Sequence, residues 1–343
     1  MSTFVHQGLY SLESGESLHG FNIEYKTLGK LNSKRNNVVW VCHALTANAE
    51  ADDWWEGLIG NGQAIDPAKH FIVCANMLGS CYGSTHALSI NPDTQHPYYH
   101  KFPILTNRDI VGAMDLLRQH LSIEKIQVCI GGSMGGQQAI EWAIIQPDVI
   151  ENLVLLATNA RHSAWGIAFN ESQRMAIEND HSWQQPTPTA GMAGLKVARS
   201  IALLSYRHYG VYKATQTDQD TSKIENFKAT SYQEYQGKKL QKRFNAYAYW
   251  TLSKAMDSHN VGRGRGGEKA ALARIKARTV VIGVDTDVLF PVSEQKFLAA
   301  HIPQAQYYEI QSLYGHDGFL IETSKITEII QQTNYLNNTL IYN

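Results

Sequence analysis

The stretch Val128–Ala143, VCIGGSMGGQQAIEWA, places four glycines around one serine, directly after an apolar β-branched run and directly before a helical pattern. Glycine weakens strands and helices alike, so such a cluster indicates a backbone turn too tight for a Cβ atom. Residues 131–135 fit the pattern G-x-S-x-G, which by itself often occurs by chance. Here a strand at 126–130 enters the turn and a helix at 137–145 leaves it. We therefore expect the hydroxyl of Ser133 to project above a sheet as a nucleophile.

The rest of the chain predicts the sheet that this turn requires. Short runs that are apolar throughout indicate strands buried on both faces, at 38–45, 71–77, 126–130, 152–158 and 279–285. Amphipathic helical patterns lie between them, notably at 107–121. Buried strands that alternate with helices indicate a mostly parallel sheet with helices on both faces. Residues 18–32 are interpreted as an antiparallel pair of strands that precedes this sheet.

A long helical segment interrupts the strand pattern. No buried strand is recognisable between residues 161 and 275, where helical stretches occur instead, at 169–180, 190–210 and 235–257. The strand pattern returns at Thr279, and a final helix is expected to begin near Phe319. We therefore predict a discontinuous α/β core, 1–160 and 276–343, with an inserted helical lid at 161–275.

Composition narrows the possible partners and locations. The chain has 343 residues with 30 basic and 31 acidic side chains, so its net charge of −1 gives no reason to expect nucleic acid or an anionic membrane as partner. The first residues lack a signal-peptide pattern, and no stretch approaches the roughly 20 apolar residues that cross a bilayer. The cysteines show no metal-ligand spacing, and most lie in apolar runs. Free thiols, a cytoplasmic location and no metal are the expectations.

A serine hydroxyl is a poor nucleophile without a base. In proteins with this kind of turn, the catalytic residues follow one another along the chain in the order serine, acid, histidine. His316 lies in a loop after the apolar-aromatic run 305–310 and before the last helix, whereas the other histidines after the serine lie in helical patterns or in the insertion. We predict His316 as the base. For the acid, Asp287 is favoured because it lies further beyond its strand and precedes the turn 289–291. Asp285 is the alternative, and otherwise caps the turn.

Acyl chemistry at such a serine also needs hydrogen-bond donors for an oxyanion. One expected donor is the backbone N–H of Met134, at the start of the helix. The second is the backbone N–H of Leu45, in the loop after the strand at 38–42. His43 lies beside it and is interpreted as holding this loop by hydrogen bonds, not as a catalytic group.

Taken together, the motifs resemble the homoserine O-acetyltransferase family of the α/β-hydrolase fold over nearly the whole chain. The motifs that carry this resemblance are LESG at 12–15, HALT at 43–46, INP at 90–92, GGSMGG at 131–136, YR at 206–207, GRGRGG at 262–267, DVLFP at 287–291 and GHDGFL at 315–320. The resemblance implies that Ser133, Asp287 and His316 form a catalytic triad. It also implies a homodimer built through the lid helices.

The resemblance further implies that Arg199, Tyr206 and Asp317 hold the substrate. Arg199 and Tyr206 are seven residues apart, two helical turns, so they share one face of a helix. An arginine fork suits an α-carboxylate, and an aspartate suits an α-ammonium. The alternatives are a solvated helix arginine for Arg199 and a cap of the last helix for Asp317. The stretch 43–55, HALTANAEADDWW, lacks the glycine that follows the threonine in many relatives, which leaves the shape of the acyl pocket open.

The stretch 262–272, GRGRGGEKAAL, invites comparison with a phosphate-binding loop. It lacks the ending G-K-[ST], and no strand leads into it, so it is not a Walker A motif. We interpret it as the ordered return from the lid to the core. Its arginines are candidates for contact with the phosphates of coenzyme A.

The function implied is transfer of an acetyl group from acetyl-CoA to the hydroxyl of L-homoserine through a serine acyl-enzyme, in methionine biosynthesis. This route needs acetyl-CoA as co-substrate but no tightly bound cofactor and no metal. A homoserine O-succinyltransferase or a serine O-acyltransferase on the same fold is the alternative, and an esterase is a weaker one. A binding protein that has lost its chemistry is disfavoured because the serine, aspartate and histidine are all present.

Overall fold

The computed structural model describes residues 1–336, and within them eight strands form one sheet. The strands are β1 (Ser2–Ser11), β2 (Ser17–Leu28), β3 (Val38–Cys42), β4 (Phe71–Ala75), β5 (Ile126–Gly132), β6 (Ile150–Leu156), β7 (Arg278–Val284) and β8 (Gln306–Ile310). Their order across the sheet is β1-β2-β4-β3-β5-β6-β7-β8. Strands β3 to β8 run parallel, whereas β2 is antiparallel to both of its neighbours. The prediction of a mostly parallel sheet is confirmed.

Helices cover both faces of this sheet and fill the insertion. They are α1 (Ala51–Trp54), α2 (Asn107–His120), α3 (Met134–Ile145), α4 (Ala164–Glu178), α5 (Met192–Tyr206), α6 (Tyr209–Gln216), α7 (Lys228–Gln241), α8 (Ala246–Asp257), α9 (Glu268–Leu272), α10 (Val292–His301), α11 (Gly318–Ile321) and α12 (Thr323–Thr333). Short 3₁₀ turns occur at Tyr99–Lys101 and Gly315–Asp317. None of the helices within residues 1–336 has the length and apolar character needed to span a membrane.

The sheet separates two apolar clusters, one on each face. On one face, Trp40 of β3 and Trp142 of α3 are both fully buried and pack edge to face, with ring centroids 4.9 Å apart. Burial on both faces explains why β3 and β5 consist almost entirely of apolar residues. The chain segments before α4 and after α8 lie side by side. The N–H of His162 donates to the carbonyl of His259 at 3.0 Å, and the N–H of Val261 donates to the carbonyl of Ala160 at 3.0 Å.

The prediction of two antiparallel strands within residues 18–32 is wrong. Residues 17–28 form the single strand β2, and its partners are β1 and β4. The chain turns earlier, where the N–H of Leu12 donates to the carbonyl of Glu16 and Gly15 adopts a φ of +89°. A left-handed glycine is the usual way to make such a turn.

The single helix expected at 235–257 is also interrupted. Helix α7 ends at Gln241, and α8 begins after Asn245, whose side chain accepts a hydrogen bond from the N–H of Ala248 at 2.8 Å. Asparagine is among the strongest N-terminal caps, and it starts a new helix here. The break places the end of α7 at the seam between the lid and the core.

Candidate active site

The turn around Ser133 joins β5 to α3 in a conformation that most residues avoid. Ser133 has φ 57° and ψ −127°, a strained geometry that costs about 1–3 kcal/mol. A Cβ atom on Gly135 would lie 2.1 Å from the carbonyl oxygen of Cys42, and one on Gly131 would lie 2.4 Å from the backbone of Gly135. Because these neighbours are backbone atoms, they cannot move aside. The glycines therefore allow β3, β5 and α3 to meet beneath the serine.

A chain of hydrogen bonds joins the serine, the histidine and one aspartate. The Nε2 atom of His316 lies 2.8 Å from Oγ of Ser133, and its Nδ1 lies 2.7 Å from Oδ2 of Asp287. All three residues are buried, with exposures of 6%, 3% and 4% for Ser133, His316 and Asp287. Asp285, the alternative acid, instead accepts a hydrogen bond from the N–H of Ser312 at 2.9 Å. This geometry suits general-base activation of the serine hydroxyl.

Aromatic rings and backbone donors hold the base and the acid in place. The ring of Phe290 stacks on His316 with centroids 5.0 Å apart and planes 20° apart, and Phe319 packs edge-on at 5.3 Å. The other oxygen of Asp287, Oδ1, accepts hydrogen bonds from the N–H groups of Leu289 and Phe290, both at 2.9 Å. The carboxylate therefore has one oxygen for the backbone and one for the imidazole.

The two expected oxyanion donors belong to buried residues, and within residues 1–336 their N–H groups have no hydrogen-bond partner. Leu45 is 5% exposed and Met134 is fully buried. Among residues 1–336, neither backbone N–H donates to a protein acceptor. Buried N–H groups are nearly always paired, so two unpaired ones beside a nucleophile are suited to receive an oxygen that develops negative charge.

His43 holds the loop that carries Leu45. Its Nε2 accepts a hydrogen bond from the N–H of Met77 at 3.1 Å, and its Nδ1 donates to the carbonyl of Ala44 at 2.9 Å. Burial lowers the pKa of His43 to about 4, so the ring is neutral at pH 7, as these two bonds require. The side chain of Gln138 adds a bond to the carbonyl of His43 at 3.2 Å. His43 thus positions the loop, as its sequence context indicates.

A cavity of about 490 Å³ opens above Ser133 and His316. Arg199 and Tyr206 of α5 line it, together with Asp317. The guanidinium carbon of Arg199 lies 5.5 Å from the centre of the Tyr206 ring, and that ring lies 5.8 Å from the ring of His316. The structure therefore brings all the sequence-predicted substrate-holding residues to one cavity.

Asp317 has a partner that the sequence analysis missed. The Nε of Arg207 donates to Oδ2 of Asp317 at 3.0 Å, and the same guanidinium donates to the hydroxyl of Tyr232. Asp317 stands at the N-cap position of α11 but makes no side-chain cap bond within the described residues, and Arg199 lines the cavity. The sequence feature that could have pointed to Arg207 is its position directly after Tyr206, where the backbone becomes extended at the end of α5.

The arginines of the stretch 262–272 lie elsewhere. Arg263 pairs with Glu13 at 2.7 Å, and Arg265 pairs with the buried carboxylate of Glu141 at 2.5 Å. Neither lines the cavity above Ser133. The stretch lies between α8 and β7, and its arginines are not placed to contact a ligand in that cavity. Within residues 1–336, no group of three His, Cys, Asp or Glu side chains is arranged to hold a metal ion.

Comparisons with known proteins identify the fold and the family. A family model described as alpha/beta hydrolase fold matches residues 37–323. A homoserine O-acetyltransferase of Cyclobacterium marinum is 51% identical over 98% of this chain and 95% of its own length. One of Trichormus variabilis is 44% identical over 94% of this chain and 90% of its own length. The crystal structure of homoserine O-acetyltransferase from Bacillus anthracis superposes with a TM-score of 0.89 at 24% identity, over 99% of this chain and 98% of that one. At that identity the structural match supports the fold.

Proposed function

Since the chain belongs to the homoserine O-acetyltransferase family of the α/β-hydrolase fold, we propose that it moves the acetyl group of acetyl-CoA to the hydroxyl of L-homoserine by a ping-pong route. The observation that carries the proposal is the hydrogen-bonded series of Ser133, His316 and Asp287 at the floor of a cavity. The two unpaired N–H groups of Leu45 and Met134 beside the serine complete the set of groups that acyl transfer needs.

In the first half-reaction, Nε2 of His316 takes the proton of Ser133 as Oγ attacks the thioester carbonyl. The N–H groups of Leu45 and Met134 donate to the oxyanion of the tetrahedral intermediate. When the C–S bond breaks, the imidazolium returns its proton to the coenzyme A thiolate. Asp287 stabilises the imidazolium in between. The product of this half-reaction is an acetyl ester on Ser133.

In the second half-reaction, the hydroxyl of homoserine gives its proton to His316 and attacks the acetyl ester. The acetyl group leaves with the homoserine oxygen, and Ser133 regains a proton from His316. Arg199 holds the α-carboxylate of homoserine, and Asp317 holds its α-ammonium. Arg207 occupies one oxygen of Asp317, which fixes the plane of the carboxylate and leaves the other oxygen for the ammonium.

We also propose that two copies associate through the lid. Val197 and Leu204 lie seven residues apart on one face of α5 and are 50% and 57% exposed. Trp165 and Met175 on α4 are exposed to a similar degree, at 55% and 52%. Large apolar side chains on neighbouring helices favour burial against a partner.

All four cysteines carry free thiols, which supports a cytoplasmic location.

A coenzyme A release assay tests the function. Acetyl-CoA and succinyl-CoA are each tested with homoserine, serine and water. The proposal predicts sustained release with acetyl-CoA and homoserine, and only slow release with water. Faster release with succinyl-CoA or with serine would favour the related transferases, and equal release with water would favour an esterase.

A further inference from the structure

The cavity above Ser133 has two cations at its outer end that the acyl-transfer steps do not use. Lys239 and Arg243 line the same cavity as Ser133 and His316. Lys239 lies in the last turn of α7, and Arg243 lies in the turn that follows the helix. Both are exposed, whereas Ser133 and His316 are buried. The two cations therefore mark the mouth of the cavity, and the nucleophile marks its floor.

Within residues 1–336, no carboxylate pairs with Lys239 or Arg243. Among residues 1–336, the side chain of Lys239 makes no ion pair or hydrogen bond, whereas the preceding Lys238 pairs with Glu234 at 3.2 Å. Within the part of the chain that the structure describes, the acceptors of the Arg243 guanidinium are both neutral, the carbonyl of Thr46 and the hydroxyl of Tyr82. Of the exposed residues described along the cavity wall, Asp53 is the one acid. The mouth thus carries an excess of positive charge in a chain whose net charge is −1.

The contacts of Arg243 leave three of its five guanidinium N–H donors open within residues 1–336. Its Nη1 atom donates both to the carbonyl of Thr46 and to the hydroxyl of Tyr82, the latter at 2.6 Å. Within the described chain, Nε and Nη2 of this residue have no partner. These bonds fix the guanidinium at the seam between lid and core, next to the loop of Leu45. A fixed guanidinium with free N–H groups is suited to a phosphate, and an ammonium beside it adds a second charge.

We propose that Lys239 and Arg243 form a subsite for the phosphate groups of the acyl-CoA donor, an inference that rests on the proposed function. The thioester has to reach Ser133 at the floor of the cavity. Its phosphates carry several negative charges, which cannot be buried without partners. The pantetheine arm therefore enters the cavity, and the phosphates stay at the mouth beside the two cations.

Equilibrium binding, measured by titration calorimetry with coenzyme A and with pantetheine, tests the subsite without requiring turnover. Lys239→Gln should weaken coenzyme A binding about tenfold and leave pantetheine binding unchanged, because only coenzyme A carries phosphates. Lys242→Gln is the matched control, since Lys242 is exposed on the same turn but does not line the cavity. It should bind both ligands like the wild type. Arg243→Lys should weaken coenzyme A binding as well, since an ammonium cannot replace the fork.

The outcomes separate this proposal from the proposed function. If the wild type binds coenzyme A and Lys239→Gln binds it equally well, the subsite is wrong and the function stands. If Lys239→Gln and Lys242→Gln weaken binding equally, the effect is one of diffuse charge and the subsite is also wrong. If the wild type binds no coenzyme A, both proposals are overturned.

Discussion

Replacing Asp287 with asparagine should disable the base while leaving the fold intact. In the native site, Oδ1 of Asp287 accepts two backbone N–H groups at 2.9 Å, and Oδ2 faces Nδ1 of His316 at 2.7 Å. An asparagine keeps the backbone bonds only by placing its oxygen at the Oδ1 position. Its NH₂ group then faces Nδ1 of His316 and donates a hydrogen bond, which only an unprotonated nitrogen can accept. The proton of the neutral ring must therefore move to Nε2, which faces Ser133 and can no longer accept its proton.

The expected loss in kcat is about 10⁴-fold, the size observed when an asparagine imposes the wrong histidine tautomer on such a triad. Asp285→Asn is the matched control, because Asp285 bonds the N–H of Ser312 and does not touch His316. It should lose less than about tenfold in kcat, since it alters one hydrogen bond in a turn. The assay is steady-state coenzyme A release, with circular dichroism to verify folding. Near-normal turnover by Asp287→Asn, or an equal loss in Asp285→Asn, would refute the assignment of the acid.

Three further predictions concern the acceptor site and stability. Arg199→Ala should keep a burst of coenzyme A release but raise KM for homoserine about 10- to 100-fold, since it removes a charge-assisted bond to the acceptor alone. A burst slowed as much as the transfer to homoserine would exclude the acceptor role. Arg207→Gln should raise KM for homoserine about tenfold without slowing acylation, because Asp317 loses the bond that orients it, and an unchanged KM would contradict this. Burial raises the pKa of Glu294 from 4.5 to about 7. Between these two pH values the folded state keeps a proton that the unfolded state releases. The free energy of unfolding therefore falls as the pH rises from 4.5 to about 7. Glu294→Gln should therefore raise Tm at pH 8 and leave it nearly unchanged at pH 4.5, as measured by calorimetry; a Tm gain at pH 4.5 instead would invert the sign argued here.

The meeting of Ser133, His316 and Asp287 at one place could be predicted because the sequence signals of these residues are local. A serine among glycines can follow a buried strand only if the turn is tight, and the contacts of Gly135 with Cys42 show why. Asp287 and His316 follow buried or half-buried strands, β7 and β8, whose carboxyl ends meet at one edge of a parallel sheet. Neighbouring parallel strands therefore bring distant residues together without further information.

The rest of the site depends on contacts between elements far apart in the chain. Arg207 reaches Asp317 only because the end of α5 packs against the turn that carries the histidine, and spacing along the sequence cannot reveal this. The same dependence on distant contacts applies to the two sets of cations considered as partners of the coenzyme A phosphates. Arg263 and Arg265 stand out in the sequence but are paired with Glu13 and Glu141, whereas Lys239, in a helix with no motif, lines the cavity. Which charges remain unpaired is decided by tertiary packing.

The acyl-enzyme is the central claim, and mass spectrometry of the protein mixed with acetyl-CoA alone tests it most directly. With no acceptor present, the account predicts that the peptide containing Ser133 gains the mass of one acetyl group, and that added homoserine removes it. Ser133→Ala should fold normally and show neither acetylation of that peptide nor transfer to homoserine. A stable acetyl group on another residue, or transfer to homoserine by Ser133→Ala, would contradict the account.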